Sequence, residues 1–268
     1  METLELTKDR IKQFLSEGKR FDGRKVDEFR EIKIETGVSK KAEGSARVKL
    51  GKTEVIVGIK MDVSEPYPDS QDSGNLMVTA ELLPLSSSRF ENGPPRIEAI
   101  ELGRITDRGI RESKFIDLKR LCIKEGEKVW TIFVDIYSIN DDGNLMDAAA
   151  IGALIALKDA KIPKFDEKTE KVVYGEWTKD KLPLKKVNDI PIQCTIHKIG
   201  DKLIVDPNRE EEDTSETRVT MSISNGNVIH SMQKGEQKEL TVQEFNNVLD
   251  LAEKNYKNLI PKLEKYLK

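Results

Sequence analysis

The sequence predicts an α+β protein built of two related halves. Three observations carry this reading. Alternating apolar runs flank Gly51-Lys52 and again flank Asn225-Gly226, which places a β-hairpin in each half. Each β-rich stretch is followed by a helical pattern, AAAIGALIALKDA in the first half and a segment from about residue 242 in the second. Residues 161–188 between them are rich in Lys, Asp, Glu and Pro and read as a linker or excursion. The order is strands then helices, twice. Parallel alternation of strand and helix is not the pattern.

Element by element, residues 4–17 carry apolar positions at Leu4, Leu6, Ile11, Phe14 and Leu15, an amphipathic helix closed by Gly18, so residues 1–19 form an N-terminal helix. Residues 20–160 make the first subdomain. SARVKLGKTEVIVGIKMDV supplies its hairpin and LMVTAELLPL at 76–85 a further strand. Pro94-Pro95 opens a helix whose expected buried positions include Ile97, Ile100 and Ile105, with Phe115 beyond it. KVWTIFVDIYSI at 128–139 is almost continuously apolar, which predicts a central strand. The alanine-rich helix after Asp142-Gly143 has small residues on every side and is expected to be buried. Residues 189–268 form the second subdomain. IPIQCTIHKI, DKLIVDP and the hairpin RVTMSISNGNVIHSM, whose Asn225-Gly226 is a type I′ turn signal with positive φ expected at both residues, precede a terminal helix with a Thr241–Glu244 capping box, a Leu240–Phe245 staple and a kink or interruption expected at Pro261.

The 268 residues allow one large core or two modest ones, and a hydrophobic content of 37% reads as globular. No stretch approaches the roughly 18 consecutive apolar residues of a membrane span, and the charged start lacks a signal-peptide core. A soluble, cytoplasmic protein with no membrane partner is expected. Charged residues make up 35%, mostly Lys and Glu, the surface composition of a thermophile laced with ion pairs. The formal net charge of −3 excludes binding of nucleic acid by bulk electrostatics, so any such binding must be local. Cys122 and Cys194 lack metal spacing and read as buried thiols.

Arginine placement is the sharpest functional signal. Lysine outnumbers arginine 32 to 13, yet five arginines (Arg89, Arg96, Arg104, Arg108 and Arg111) fall within one short segment. Arg104, Arg108 and Arg111 follow i, i+4, i+7 spacing and share one helix face. Guanidinium forks suit a phosphate-bearing polyanion, although a solvated face or pairing with Asp107 and Glu112 produces the same pattern. The carboxylates of DPNREEED suit magnesium or simply a solvated loop. His197 and His230 lie in strand patterns with no nucleophile–base arrangement.

FDGR at 21–24, FREI soon after, EGSARVKLGKTEVI at 43–56, the arginine helix, the strand into Asp142-Gly143 and LIVDPNREEED at 203–213 together resemble the ribonuclease PH family in order and spacing. The resemblance covers about residues 20–255 and is closest to the non-catalytic ring subunits of the archaeal exosome. It implies a ribonuclease PH fold of two stacked βα subdomains of the ribosomal-protein S5 domain 2 kind. It also implies a hexameric ring of three heterodimers with a catalytic ribonuclease PH-like subunit, RNA-binding cap subunits and a channel for single-stranded RNA.

Active members resemble one another in a Gly-Gly-Thr/Ser-Arg-Thr-Ala loop that holds the attacking phosphate at a helix N-terminus. Here Leu145 stands at the hydroxyl position and Met146 at the arginine position, and Asp147 is expected to add a repelling charge. The family's aspartate pair is matched by Asp206 and Glu212, read as a remnant to which the sequence assigns no metal. By this resemblance the chain has no catalytic residue and needs no cofactor. Arg104 and Arg108 fall where the family's RNA-contacting arginines lie, while Arg111 is equally open to a structural role and Arg89 and Arg96 have weaker support. The competing expectation is a self-sufficient homohexameric phosphorolytic exoribonuclease.

Overall fold

The alternation around Gly51 becomes an antiparallel meander of β1 (Ile32–Thr36), β2 (Gly44–Leu50) and β3 (Thr53–Ser64) in the computed structural model, which describes residues 3–186 and 189–267. Along β3, Thr53, Val55, Val57, Ile59 and Met61 are buried while the residues between them are half exposed. That period of two is the signature of a sheet with one face on the core. Strand β6 (Lys128–Asn140) is central, antiparallel to β3 and parallel to β4 (Asn75–Leu82), with the short β5 (Cys122–Lys124) pairing with its start. Helix α2 (Ile97–Glu112) lies between β4 and β6 in the chain, so one βαβ unit sits inside an otherwise antiparallel sheet. This parallel pair departs from the sequence expectation. Strand direction is set by the long crossover, and nothing in the apolar run of β4 encodes it.

Helix α3 (Leu145–Asp159) packs against β2 and β3 of this sheet and against β9 (Ile192–Ile199) of the next. Contact with both sheets explains why Leu145 to Leu157 are all buried and why the helix shows no polar face. Gly152 permits the close approach, since a Cβ there would meet Val57 at 2.7 Å. The second sheet, in the order β10 (Lys202–Val205), β9, β11 (Thr217–Ser224), β12 (Val228–Gly235), is wholly antiparallel. The short α4 (Arg209–Thr214) precedes β11, and α5 (Val242–Leu267) packs on β9 and β11. Helix α1 (Glu5–Ser16) docks on this half, burying Ile11 and Leu15 with Ile199 and Ile204, while Leu4 and Leu6 stay exposed.

Several local expectations are corrected. The charged stretch after Ala160 is a hairpin of β7 (Lys161–Asp166) and β8 (Lys171–Lys181), with Phe165 edge-on to Trp130; positions 187 and 188 of the expected linker lie outside the described residues. Ile97 and Ile100 are 72% and 46% exposed; Ile105 and Phe115 are buried as expected, and α2 adds Ala99, Leu102 and Ile110 to its buried face. In the second hairpin the positive φ values fall on Gly226 and Asn227, not on Asn225 and Gly226. Helix α5 is not interrupted at Pro261, and its buried face continues on both sides through Tyr256, Leu259, Leu263 and Leu267. The capping box forms as expected, with Thr241 N–H donating to Glu244 Oε2 at 2.8 Å and Glu244 N–H to Thr241 Oγ1 at 3.2 Å. Cys194 is buried, but Cys122 is only half-buried.

Candidate functional site

The exposed face of α2 follows directly from its buried one. Ala99, Leu102, Ile105 and Ile110 turn inward, which leaves Ile97, Ile100, Arg104, Arg108 and Arg111 on the opposite side at three- and four-residue spacing. Arg111 is held: its Nε and Nη2 donate to Asp107 at 2.9 and 2.7 Å, and Nη2 also reaches the Leu76 carbonyl at 2.9 Å. Arg96 pairs with Glu91 at the surface, and Arg89 is forked onto Asp213. Arg104 and Arg108 are exposed and make no ion pair or hydrogen bond with any described residue. Among the five arginines picked out by sequence, these two therefore keep their donors available for an outside anion.

The start of α3 is the opposite case. Gly143 (φ +82°) delivers the chain into it, and a Cβ there would strike the Asn208 backbone at 2.5 Å, so only glycine fits. Asn144 follows in the left-handed conformation (φ 57°). Leu145 and Met146 are buried, with Met146 Sδ 3.2 Å from Arg218 Nη1 and its carbonyl accepting from Gln193 Nε2 at 2.8 Å. Asp147 does not project a repelling charge. It turns into the core, where Oδ1 accepts from Thr195 Oγ1 at 2.7 Å and Oδ2 from Thr195 N–H at 3.2 Å and Asn144 Nδ2 at 3.1 Å. Burial pushes its carboxyl up to about 7, against these hydrogen bonds that pull it down.

The acidic pair is likewise occupied. Asp206 is fully buried and backbone-strained (φ +46°). Its Oδ2 accepts from Arg30 N–H at 2.7 Å, Arg30 Nε at 2.9 Å and Arg24 Nη1 at 3.0 Å; its Oδ1 accepts from Arg30 Nη2 at 2.7 Å and Asn144 Nδ2 at 2.9 Å. Arg30 also donates to the carbonyls of Asp142 and Gly143 at 2.8 and 3.0 Å, so one guanidinium ties three segments together. Glu212 Oε2 accepts the Asn144 N–H at 3.1 Å, and burial raises its carboxyl pKa despite the nearby Arg209. Arg209 stands among Asp141 (3.2 Å), Glu212 (3.4 Å) and Asp213 (2.8 Å), so a guanidinium fills the place where a cation between these carboxylates would lie. Among the described residues no cluster of His, Cys, Asp and Glu is arranged to hold a metal.

Sequence reading missed Arg30 and Arg209 as site residues. Arg30 lies in the FREI motif, and Arg209 is spaced i, i+3 and i, i+4 from Glu212 and Asp213, a pairing signal on a helix. His197 is buried with Nδ1 3.0 Å from Ser215 Oγ, and burial lowers its pKa to about 3, so it stays neutral. His230 lies 2.8 Å from Ser224 Oγ. The charges of Arg218 and Arg209 add to the lowering of the His197 pKa.

Models of the 3′ exoribonuclease (RNase PH) family match residues 28–163 as its domain 1 and residues 189–255 as its domain 2. The chain belongs to the RNase PH family of 3′ exoribonucleases. It is 46% identical over 260 residues, 97% of this chain and 96% of the other, to a protein of Methanocella arvoryzae named exosome complex component Rrp42. The protein of that name from Archaeoglobus fulgidus is 44% identical over 249 residues, 93% of this chain and 92% of its own. In three dimensions the chain is similar to one from the Archaeoglobus fulgidus exosome with RNA bound to the active site, with a TM-score of 0.85 and 42% identity over 98% of each chain. The fold of two βα subdomains is thus the RNase PH fold.

Proposed function

We propose that the chain is a non-catalytic ring subunit of an archaeal RNA exosome acting in the cytoplasm. In this reading it alternates with a catalytic RNase PH-like partner as three heterodimers, under RNA-binding caps. It contributes Arg104 and Arg108 to the path of single-stranded RNA toward the partner's active site, where 3′-to-5′ phosphorolysis occurs. The observation that carries the non-catalytic reading is the start of α3. Phosphorolysis needs donors aimed at the attacking phosphate and a group to stabilise the leaving 3′ oxygen. Here Leu145 and Met146 are apolar and buried, Asp147 turns inward, Glu212 takes the Asn144 N–H, and the carboxylates are closed by Arg24, Arg30 and Arg209. Among the described residues, the guanidinium groups packed there, Arg24, Arg30, Arg209 and Arg218, are each engaged with a carboxylate.

Near full-length identity to proteins named as exosome components supports the ring assignment. The exposed, unpaired Arg104 and Arg108 support the RNA path, gripping backbone without reading sequence. Arg111 serves chiefly to fix α2 on β4, and Arg96 and Arg89 flank the path. A self-sufficient homohexamer is disfavoured by the same filled helix start. The deciding experiment incubates RNA and phosphate with the purified chain, with the catalytic partner, and with both. Nucleoside diphosphate release is expected only where the partner is present, and fastest with both. Release by this chain alone would overturn the non-catalytic reading, and failure of the two chains to co-assemble would overturn the ring.

A further inference from the structure

Arg104 has a carboxylate within helical reach on either side. Glu101 stands three residues before it and Asp107 three residues after, a spacing at which acidic and basic side chains on a helix surface pair readily. Each is held elsewhere instead. Asp107 is taken by Arg111, and Glu101 Oε1 accepts from Arg218 Nη2 at 2.6 Å. Arg218 comes from β11 in the second half of the chain, 117 residues beyond Glu101. It is 8% exposed, its Nη1 lies 3.2 Å from Met146 Sδ, and its Nε is buried with no partner among the described residues. A guanidinium in such surroundings depends on its carboxylate far more than an exposed one does, so Glu101 is drawn to Arg218 and Arg104 is left to solvent. The backbone makes room for this contact. Arg218 faces Gly235 across β11 and β12, and a Cβ on Gly235 would lie 2.4 Å from Nη2.

We propose that Arg218 is a positioning residue for RNA binding that acts through Glu101: by drawing this carboxylate off the exposed face of α2, it keeps the Arg104 guanidinium unpaired for a phosphodiester of the strand. This rests on the RNA path proposed above. Without Arg218, Glu101 turns back to Arg104, cancels one of the two free charges of the stripe and sets a carboxylate beside the strand, where it repels phosphate. A bare charge count also predicts weaker binding when an arginine is lost. It predicts the same loss, however, whether or not Glu101 is present.

The test measures affinity of a labelled single-stranded oligoadenylate, by anisotropy without phosphate, for the chain assembled with its catalytic partner. Each variant is made in two backgrounds, with Glu101 and with E101Q. R218M is expected to weaken binding about fivefold beside Glu101 and less than about twofold in the E101Q background. G235A leaves every charge in place and pushes the guanidinium off Glu101, so about a threefold loss is expected, again confined to the Glu101 background. Undiminished binding by both variants, or losses of equal size in the two backgrounds, overturns the proposal. If R218M fails to assemble, G235A decides on the same outcomes. R104E/R108E separates the two claims. Wild-type affinity in that variant overturns the path along α2 and the role of Arg218 with it, whereas a loss there with undiminished binding by R218M and G235A overturns Arg218 alone.

Discussion

Helix α2 carries Arg104 and Arg108 on an exposed face with no partner among the described residues, whereas the start of α3 has each of its charged groups bound within the chain: Asp147 by Thr195 and Asn144, Asp206 by Arg24 and Arg30, Glu212 by Asn144 and Arg209. Burial accounts for the difference. A charge taken into the interior must be paired and hydrogen-bonded or it destabilises the fold, so a helix start packed between two sheets is driven to satisfy itself. A charge on a surface helix has no such requirement and remains available to a ligand. On the proposed reading, function in this chain lies where the fold left charge unanswered.

That contrast breaks most severely if Arg30 is removed. Arg30→Ala leaves Asp206 buried with two of its five donors and its bidentate guanidinium partner gone, and a loss of about 3–5 kcal/mol of stability is expected in denaturant melts. A loss under about 1 kcal/mol would mean the centre is wet and open rather than closed.

The next effect is a pH dependence. Asp147 titrates at about 7 in the fold against 3.8 for the free side chain, so the fold binds its proton more tightly than the unfolded chain does. The stability this confers is fully present below about pH 4 and is lost as pH rises through about 7. Relative to Asp147→Asn, wild type should lose stability over that window, with a ceiling of roughly 4 kcal/mol. Parallel stability curves for the two proteins would show that Asp147 stays ionised and the site is more polar than its burial suggests.

On the exposed side, R104E/R108E should weaken RNA binding by the assembled ring about a hundredfold, roughly 3 kcal/mol, with little change in thermal midpoint. Equal affinity would return the stripe to an ordinary solvated face. Arg111→Ala is the smallest and sharpest comparison, since Arg111 is tied to Asp107 and the Leu76 carbonyl. It should cost about 0.5 kcal/mol of stability and change RNA affinity less than about threefold. A tenfold loss of affinity would place Arg111 with the free arginines.

Much of this was legible beforehand where the signal is local. The hairpin at Gly51, the apolar β6, the buried α3 and the Thr241–Glu244 cap all follow from spacing and turn chemistry. The family motifs also acquire a physical meaning, because FDGR supplies Arg24 and FREI supplies Arg30, both of which hold Asp206. Elsewhere local pattern misled. Ile97 and Ile100 share a helix face with the arginines, and periodicity defines a face without saying which one a sheet will cover. Asp147 reads in sequence as a repelling charge, yet its neighbour across the core is Thr195, forty-eight residues away.

By itself the sequence determined the class of the fold, most of its elements and the arginine stripe, since each is written in residues close together along the chain. The tertiary structure alone decided the parallel pairing of β4 with β6, the inward turn of Asp147, the roles of Arg30 and Arg209, and which arginines stay free. Those outcomes depend on contacts between residues remote in sequence. Whether a charge is spent inside a protein or offered outside it is fixed by what packs against it.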